Sequence, residues 1–175
     1  MTTWNIDSVH SEIGFKIKHM MVSTVKGKFA DFSGSVVGEG QNFETAKVKF
    51  AAKAASISTH NEQRDGHLKS PDFFEVEKFP ELTFESTKIT QEAGDVYKVM
   101  GNFTMHGVTK EIVFTAHFNG ISKNNDGIQI AGVDIEGSLS RKDFGLTWNA
   151  PVETGGFLLS DEVILDISLE LKESK

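Results

Sequence analysis

The chain has 175 residues, a length that predicts a single domain over residues 1–175 with room for a sizeable core or a closed sheet. Its formal net charge of −7 argues against nucleic acid and anionic membrane surfaces as main partners. The absence of cysteine excludes disulfides and thiolate chemistry. The N-terminus has no signal-peptide pattern, and no apolar run reaches the roughly 20 residues of a membrane span. We therefore expect a cytoplasmic protein without a membrane span.

Eight long runs alternate apolar and polar residues, which is typical of half-buried β-strands. In chain order these runs cover residues 11–21, 25–37, 46–56, 82–89, 96–106, 108–118, 128–141 and 163–171. Turn-forming residues such as 123–127 connect them, so the runs are predicted to pair as antiparallel neighbours. Eight antiparallel strands can close into a barrel that is either filled by side chains or holds one small ligand. A β-sandwich has the same alternation and stays open as an alternative.

Two of these runs describe the interior more closely. In the second run Phe29 and Phe32 are three residues apart, so a bulge near 30–31 would place both on one face. In the third run the face that carries Phe50 consists mostly of small residues, three of them alanine, where a filled barrel would carry bulky branched residues. Together with 14 phenylalanines in the chain, these features indicate either a Phe-rich core or a large apolar cavity.

The stretch 56–80 interrupts the alternation with a helical pattern after the third run. Asn61 is a suitable helix N-cap, and Arg64, His67 and Leu68 share one side of the helix at i, i+3 and i+4 spacing. The apolar residues that follow need cover, most simply across an opening of the sheet, so the stretch is predicted to be a lid or a plug. These residues are Phe73, Phe74, Val76 and Phe79.

The sequence has two arginines, Arg64 and Arg141, and each stands beside a carboxylate in an irregular segment. An ion pair that pins the lid is the first interpretation. A head-group site at the barrel mouth is the alternative, because a guanidinium group suits carboxylate or phosphate recognition. The six histidines show no metal-ligand spacing, and no nucleophile motif is present. We therefore predict neither a metal site nor a catalytic residue.

Several motifs, spread in order over nearly the whole chain, resemble the YceI-like family of polyisoprenoid-binding proteins. They are Trp4-Asn5-Ile6-Asp7-Ser8-Val9-His10-Ser11, Val25-Lys26-Gly27-Lys28-Phe29, Arg64-Asp65-Gly66-His67-Leu68-Lys69-Ser70, Gly101-Asn102-Phe103-Thr104-Met105-His106-Gly107 and Arg141-Lys142-Asp143-Phe144-Gly145-Leu146. The resemblance implies an all-β fold: an elongated, lipocalin-like, eight-stranded antiparallel β-barrel with a short helical segment after the third strand. It also implies an apolar tunnel for an isoprenoid or comparable long lipid, and it allows a homodimer.

Together these observations predict a non-enzymatic protein that binds a long-chain apolar lipid for storage, transport or sequestration. The expected ligand is a polyisoprenoid of the isoprenoid quinone or polyprenyl phosphate type, with a fatty lipid as a related choice and no other cofactor. By strand parity, the predicted tunnel lining is Phe15, Ile17, Phe29, Phe50, Phe84, Phe103, Phe114 and Leu165. The head-group candidates are His19, Arg64 and His67. The alternatives are an enzyme that acts on a lipid through His19 or His67, and a filled barrel that serves as a structural or stress-response partner.

Overall fold

The computed structural model describes residues 1–153 and 155–174, and it consists mainly of antiparallel strands. The strands are β1 (Thr2–Ile6), β2 (Glu12–His19), β3 (Ser23–Phe29), β4 (Phe32–Glu39), β5 (Asn42–Lys53), β6 (Ile57–Ser58), β7 (Glu81–Ala93), β8 (Val96–Met105), β9 (Val108–Lys123), β10 (Gln129–Ser140) and β11 (Leu159–Glu173). The helix α1 (Glu62–Lys69) lies between β6 and β7. Short 3-10 helices cover Ala54–Ser56 and Arg141–Phe144.

The sheet closes into an eight-stranded barrel, as predicted. Its order is β1-β4-β5-β7-β8-β9-β10-β11, and β1 also pairs with β11, which completes the ring. Three of the eight positions in the ring are each shared by two strands that follow one another in the chain. β1 and β2 lie beside β11, β3 and β4 form the next position, and β5 and β6 form the one after that. Closure removes the edges that such long strands would otherwise expose. A β-sandwich is therefore excluded.

The interruption between β3 and β4 is the predicted bulge. Ala30 and Asp31 leave the ladder, and their backbone groups bond instead to Ser56 and Lys53. As a result Phe29 and Phe32 both pack against the same apolar core. The strand β1, by contrast, was absent from the prediction, because a five-residue strand is too short to show a periodic pattern.

The stretch 56–80 lies across one end of the barrel, as the lid prediction requires. Asn61 caps α1 by accepting a hydrogen bond from the backbone N–H of Arg64 at 2.9 Å. Phe73 and Phe74 are buried against the barrel core. Phe79 does not join them, because its ring packs on His106 at 4.7 Å between centroids. No helix among the described residues is long and apolar enough to cross a membrane.

Candidate functional site

The inside of the barrel contains two adjoining cavities. One has a volume of about 220 Å³ and lies under α1, and we call it the helix-end cavity. The other has a volume of about 170 Å³ and extends toward β1, and we call it the β1-end cavity. Four residues belong to both walls and therefore lie at the boundary between the two cavities: Phe29, Leu82, Phe103 and Leu165. Each cavity exceeds the roughly 150 Å³ that accepts a benzene molecule in an engineered apolar core.

The β1-end cavity is almost wholly apolar. Its wall is made mostly of alternate residues from β1 to β5 and from β7 to β11, and the exceptions to its apolar character are Ser35, Lys49 and Tyr97. The small residues predicted on the third run, Ala46 and Ala52, lie on this wall and are buried. No Asp, Glu, Arg or His contributes to this wall among the described residues. The cavity can therefore accept a hydrocarbon but offers little to orient a polar group.

Glycines in neighbouring strands seat two of the phenylalanine rings that form the walls. Phe15, in the helix-end cavity, lies over Gly27, where an added Cβ atom would stand 2.3 Å from the ring. Phe114, in the β1-end cavity, lies over Gly137 at 2.8 Å on the same measure. Because these glycines have no side chain, the rings can lie back against the wall, which leaves space in the lumen.

The helix-end cavity has a different chemistry. Both arginines of the chain, Arg64 and Arg141, lie on its wall with the histidines His19 and His67. Its remaining wall is apolar apart from Thr59, and no carboxylate lines it among the described residues. In a chain with 25 acidic and 18 basic residues, this cavity therefore concentrates cationic and hydrogen-donating groups.

Arg64 is held by Thr59, and the expected ion pair is not formed within the described part of the chain. Its Nε donates to Thr59 Oγ1 at 2.7 Å, and its Nη2 donates to the Thr59 carbonyl at 2.8 Å. The Thr59 hydroxyl in turn donates to Asp65 Oδ1 at 2.6 Å. The adjacent carboxylate thus reaches Arg64 through a hydroxyl, because neighbouring residues of a helix project in different directions. The interaction pins α1 to the β6 region, as a structural role requires.

His67 is oriented by Asp72 and by two aromatic rings. Its Nε2 lies 2.8 Å from Asp72 Oδ2, and its ring makes edge contacts with Phe73 and Trp148 at 5.0 and 4.8 Å. The ring is therefore fixed at the cavity wall, where one nitrogen is already engaged. His19 reaches the same wall from the end of β2.

Arg141 is the most deeply buried charge in the cavity wall, with 3% of its surface exposed. Its Nε donates to the carbonyl of Ser160, and its Nη1 donates to the carbonyls of Leu146 and Trp148 at 2.7 Å each. Its Nη2 is buried and has no hydrogen-bond partner among the described residues. Burial lowers the pKa of this guanidinium, although arginine keeps its charge in proteins.

No carboxylate balances the Arg141 charge within 4.0 Å in the described part of the chain. Asp161, the acidic residue whose field acts on Arg141, is itself paired with Lys142 at 3.3 Å. The predicted ion pair is therefore not formed here either. A buried cation without a balancing anion is costly. The unpaired Nη2 therefore favours an anion or an oxygen acceptor supplied from outside the chain.

All eleven predicted site residues lie on the cavity walls. Phe50, Phe84 and Phe114 line the β1-end cavity; Phe15, Ile17, His19, Arg64 and His67 line the helix-end cavity; Phe29, Phe103 and Leu165 line both. Their contact with a ligand stays a prediction. The sequence analysis considered Arg141 for an ion pair or a head-group site but did not include it among the predicted site residues. The available signal was that the sequence has only two arginines; two of the three carbonyl partners of Arg141 come from the irregular segment after β10 and the third from the start of β11.

A separate polar cluster lies outside both cavities. Asp7, His10 and Glu170 bring three possible metal ligands within 4.8 Å of one another. Lys172 Nζ lies 2.5 Å from Asp7 Oδ2, so a cation from the chain already contacts this carboxylate. The bonds from Lys172 and His10 hold the pKa of Asp7 well below its usual range. The cluster joins the end of β1 to the end of β11, which is a structural task.

Comparison with known proteins agrees with this architecture. Residues 4–171 match the model of the YceI-like domain. UPF0312 protein SA2479 of Staphylococcus aureus is 42% identical, with full coverage of both chains. A YceI protein of Campylobacter jejuni superposes with a TM-score of 0.79 at 35% identity, over 97% of this chain and 96% of that one. A polyisoprenoid binding domain of Saccharophagus degradans has a TM-score of 0.76 at 16% identity, over 98% of both chains. The chain belongs to the YceI-like family.

Proposed function

We propose that this protein binds a long-chain lipid in the two adjoining cavities, without catalysing a reaction on it. The observation that carries the proposal is the pair of adjoining, mainly apolar cavities inside the barrel, whose walls share four residues. Each CH₂ group that leaves water for such a space contributes roughly 0.8 kcal/mol. The likeness to a domain described as polyisoprenoid binding supports an isoprenoid as the ligand.

The two cavities would hold different parts of that lipid. The hydrocarbon tail would occupy the β1-end cavity, which offers apolar contacts. The head group would lie in the helix-end cavity, beside Arg141 and Arg64. A phosphate or a quinone carbonyl supplies the oxygen acceptors that a guanidinium group binds well, which favours a polyprenyl phosphate or an isoprenoid quinone. Storage, transport and sequestration are all compatible with such binding.

An enzyme would use His19 or His67 as its acid–base group, but we interpret both histidines as parts of the wall of the helix-end cavity. His67 has its Nε2 engaged by Asp72, which orients the ring. An enzyme would lose its turnover in His67→Gln while it still bound the lipid. A lipid that is recovered chemically unchanged after incubation with the wild-type protein supports the binding role instead. A cytoplasmic location and a homodimer also stay proposals, which cell fractionation and light scattering would test.

The direct experiment is organic extraction of gently purified protein, followed by mass spectrometry. We expect a long-chain lipid in near-stoichiometric amount. In parallel, thermal unfolding is measured with geranylgeranyl phosphate, geranylgeraniol and a fatty alcohol of matched length. A ligand at 100 times its Kd stabilises by about 2.7 kcal/mol, which raises the Tm of a chain of this size by roughly 5–10 °C. No extracted lipid together with an unchanged Tm for all three probes would falsify the proposal.

A further inference from the structure

The hairpin of β2 and β3 differs from the rest of the chain in charge. Residues 16–28 contain four lysines and no Asp or Glu, although the whole chain carries a net charge of −7. These lysines alternate along the strands with residues that line the helix-end cavity, so they lie on the outer face. They are Lys16, Lys18, Lys26 and Lys28. Among the described residues, only Lys16 has a carboxylate within 4.0 Å, that of Asp166. The hairpin is a basic surface on an acidic protein.

This hairpin ends in an exposed apolar turn. Met21 and Val22 are 71% and 85% exposed, and Met20 is 45% exposed. Phe157, which is 60% exposed, lies beside them, because the Leu158 carbonyl accepts a hydrogen bond from the backbone N–H of Met20 at 2.8 Å. Four of the eight exposed large apolar side chains in the described residues therefore gather at this one point. Apolar patches with a polar rim mark interaction surfaces.

Two features of the hairpin are unfavourable for folding. Met20 and Met21 have φ angles of 52° and 63°, a turn conformation that strongly favours Asn-Gly over methionine. Lys16 and Lys26 stand directly opposite each other across the strands, where like charges destabilise a sheet. Exposed methionines in a strained turn and facing lysines are therefore not the residues that fold stability alone would favour here. Both features instead suit a surface that binds something anionic and apolar together.

We propose that this hairpin docks the protein onto a lipid bilayer that contains anionic phospholipids. The apolar turn would insert among the head groups, and the lysines would lie at the level of the phosphates. The patch is continuous with the helix-end cavity, because His19 and Leu158, which adjoin the turn, also line that cavity. Docking would therefore place the part of the cavity wall beside the turn close to the membrane. This proposal goes beyond ligand binding in the barrel and does not depend on it.

The negative charge of the whole chain does not oppose this docking. At physiological ionic strength, exposed charges farther apart than about 8 Å are largely screened from each other. Strands of 15 or 16 residues are about 50 Å long, so carboxylates at the far end of the barrel lie well beyond that distance from the hairpin turn. A membrane therefore senses the charge of the hairpin more than the charge of the whole chain, so the charge argument of the sequence analysis does not apply to this surface.

The test is flotation of the full chain with large unilamellar vesicles. Vesicles of phosphatidylcholine alone are compared with vesicles that contain about one third phosphatidylglycerol, at low and at high salt. We expect binding to the anionic vesicles at low salt, and a loss of at least about tenfold in the partition coefficient at high salt or in neutral vesicles. No binding to anionic vesicles at low salt overturns the proposal.

Two matched variants locate the surface. Met20→Asn with Met21→Gly supplies the residues that the turn prefers, so Tm stays equal or rises, while vesicle binding falls at least about fivefold. Lys18→Glu with Lys26→Glu is expected to abolish binding to anionic vesicles. Its control, Lys88→Glu with Lys123→Glu, makes the same change of net charge at exposed positions on other strands and should leave binding unchanged.

The remaining outcomes also decide the question. Equal losses in both charge-reversed variants would mean that total charge, rather than the hairpin, governs binding, and they would overturn the proposal. A dimer that disappears in Met20→Asn with Met21→Gly would assign the surface to a second copy of the chain instead. The thermal shift with geranylgeranyl phosphate is measured on the same variants. A shift that persists while vesicle binding is lost separates docking from ligand binding in the barrel.

Discussion

The two cavities of the barrel adjoin each other but differ in chemistry. The β1-end cavity is a hydrocarbon space, whereas the helix-end cavity carries both arginines of the chain and two of its six histidines. The difference follows from what builds each wall. Regular strands with alternating residues build the β1-end cavity, while α1 and the segment after β10 bring polar groups to the helix-end cavity. A lumen with one charged end gives an amphiphilic ligand a direction.

The strongest test of this difference is Arg141→Met. The change removes the buried charge and leaves three backbone carbonyls without their donor, so the free energy of unfolding should fall by about 3 kcal/mol or more. Chemical denaturation measures this loss. Under the same conditions the variant should lose most of its preference for geranylgeranyl phosphate over geranylgeraniol, because only Arg64 then remains to bind the head group.

Arg141→Lys is the companion variant, since it keeps the charge but loses the planar fork. We expect intermediate stability and a retained preference for the phosphate over the alcohol. If Arg141→Met keeps the full preference for the phosphate, the helix-end cavity does not hold the head group, and the orientation proposed for the ligand is wrong.

The second test narrows one cavity at a time. An alanine at Gly137 would push the Phe114 ring into the β1-end cavity, and an alanine at Gly27 would push the Phe15 ring into the helix-end cavity. Overpacking of this kind costs about 1–3 kcal/mol of stability. Gly137→Ala should weaken binding of long chains more than short ones, because only long chains reach that cavity. Gly27→Ala should weaken both. Isothermal titration with C10 and C20 isoprenoid phosphates separates the two patterns, and equal effects would contradict the assignment of head and tail.

The third change lies outside both cavities and serves as their reference. Asp7→Asn removes the carboxylate that Lys172 and His10 bond, which should lower the free energy of unfolding by about 1–2 kcal/mol at neutral pH. Ligand affinity should not change. Because the pKa of Asp7 is lowered in the folded state, its stabilisation is present above the ordinary value of 3.8 and is lost as the pH falls further below it. The wild type and the variant should therefore converge in stability in acid, and a constant difference down to pH 2 would refute this account.

The smallest expected effect concerns the cover of the helix-end cavity. Asn61→Ala removes the N-cap of α1 and should cost about 1 kcal/mol or less, because the helix is exposed and short. Hydrogen exchange of the α1 amides should accelerate, and a bound lipid should dissociate faster, while exchange in β9 and β10 stays unchanged. Unaltered dissociation would show that α1 does not control access to the cavity.

Much of the barrel and its lining could be read from local patterns. Period-two alternation has one consequence in a closed sheet, since every second residue must face inward, so the parity of Phe50, Phe84 and Phe114 was sufficient to place them on the wall. The Asn61 cap also depends on neighbours in sequence, and the three-residue spacing of Phe29 and Phe32 was enough to predict the bulge between them. Each of these features is determined within about ten residues of chain.

The partners of the charged residues could not be read in this way. The sequence suggested ion pairs for both arginines because a carboxylate stands next to each. The structure instead joins Arg64 to Thr59, and it joins Arg141 to carbonyls five, seven and nineteen residues away. A long side chain can choose among all groups within its reach, and that set is decided by packing. Phe79 is a similar case, since its ring packs on His106 from the turn after β8.

The basic hairpin shows the same division on the outer surface. The net charge of −7 is a property of composition, and by itself it argued against an anionic membrane. Closure of the sheet places the lysines of residues 16–28 on one face and the apolar turn beside Phe157, from a segment more than a hundred residues away. The long strands of this protein follow from local alternation. Which charges gather at one end of the barrel, inside and outside, was decided only by the tertiary structure, because that gathering depends on contacts between distant parts of the chain.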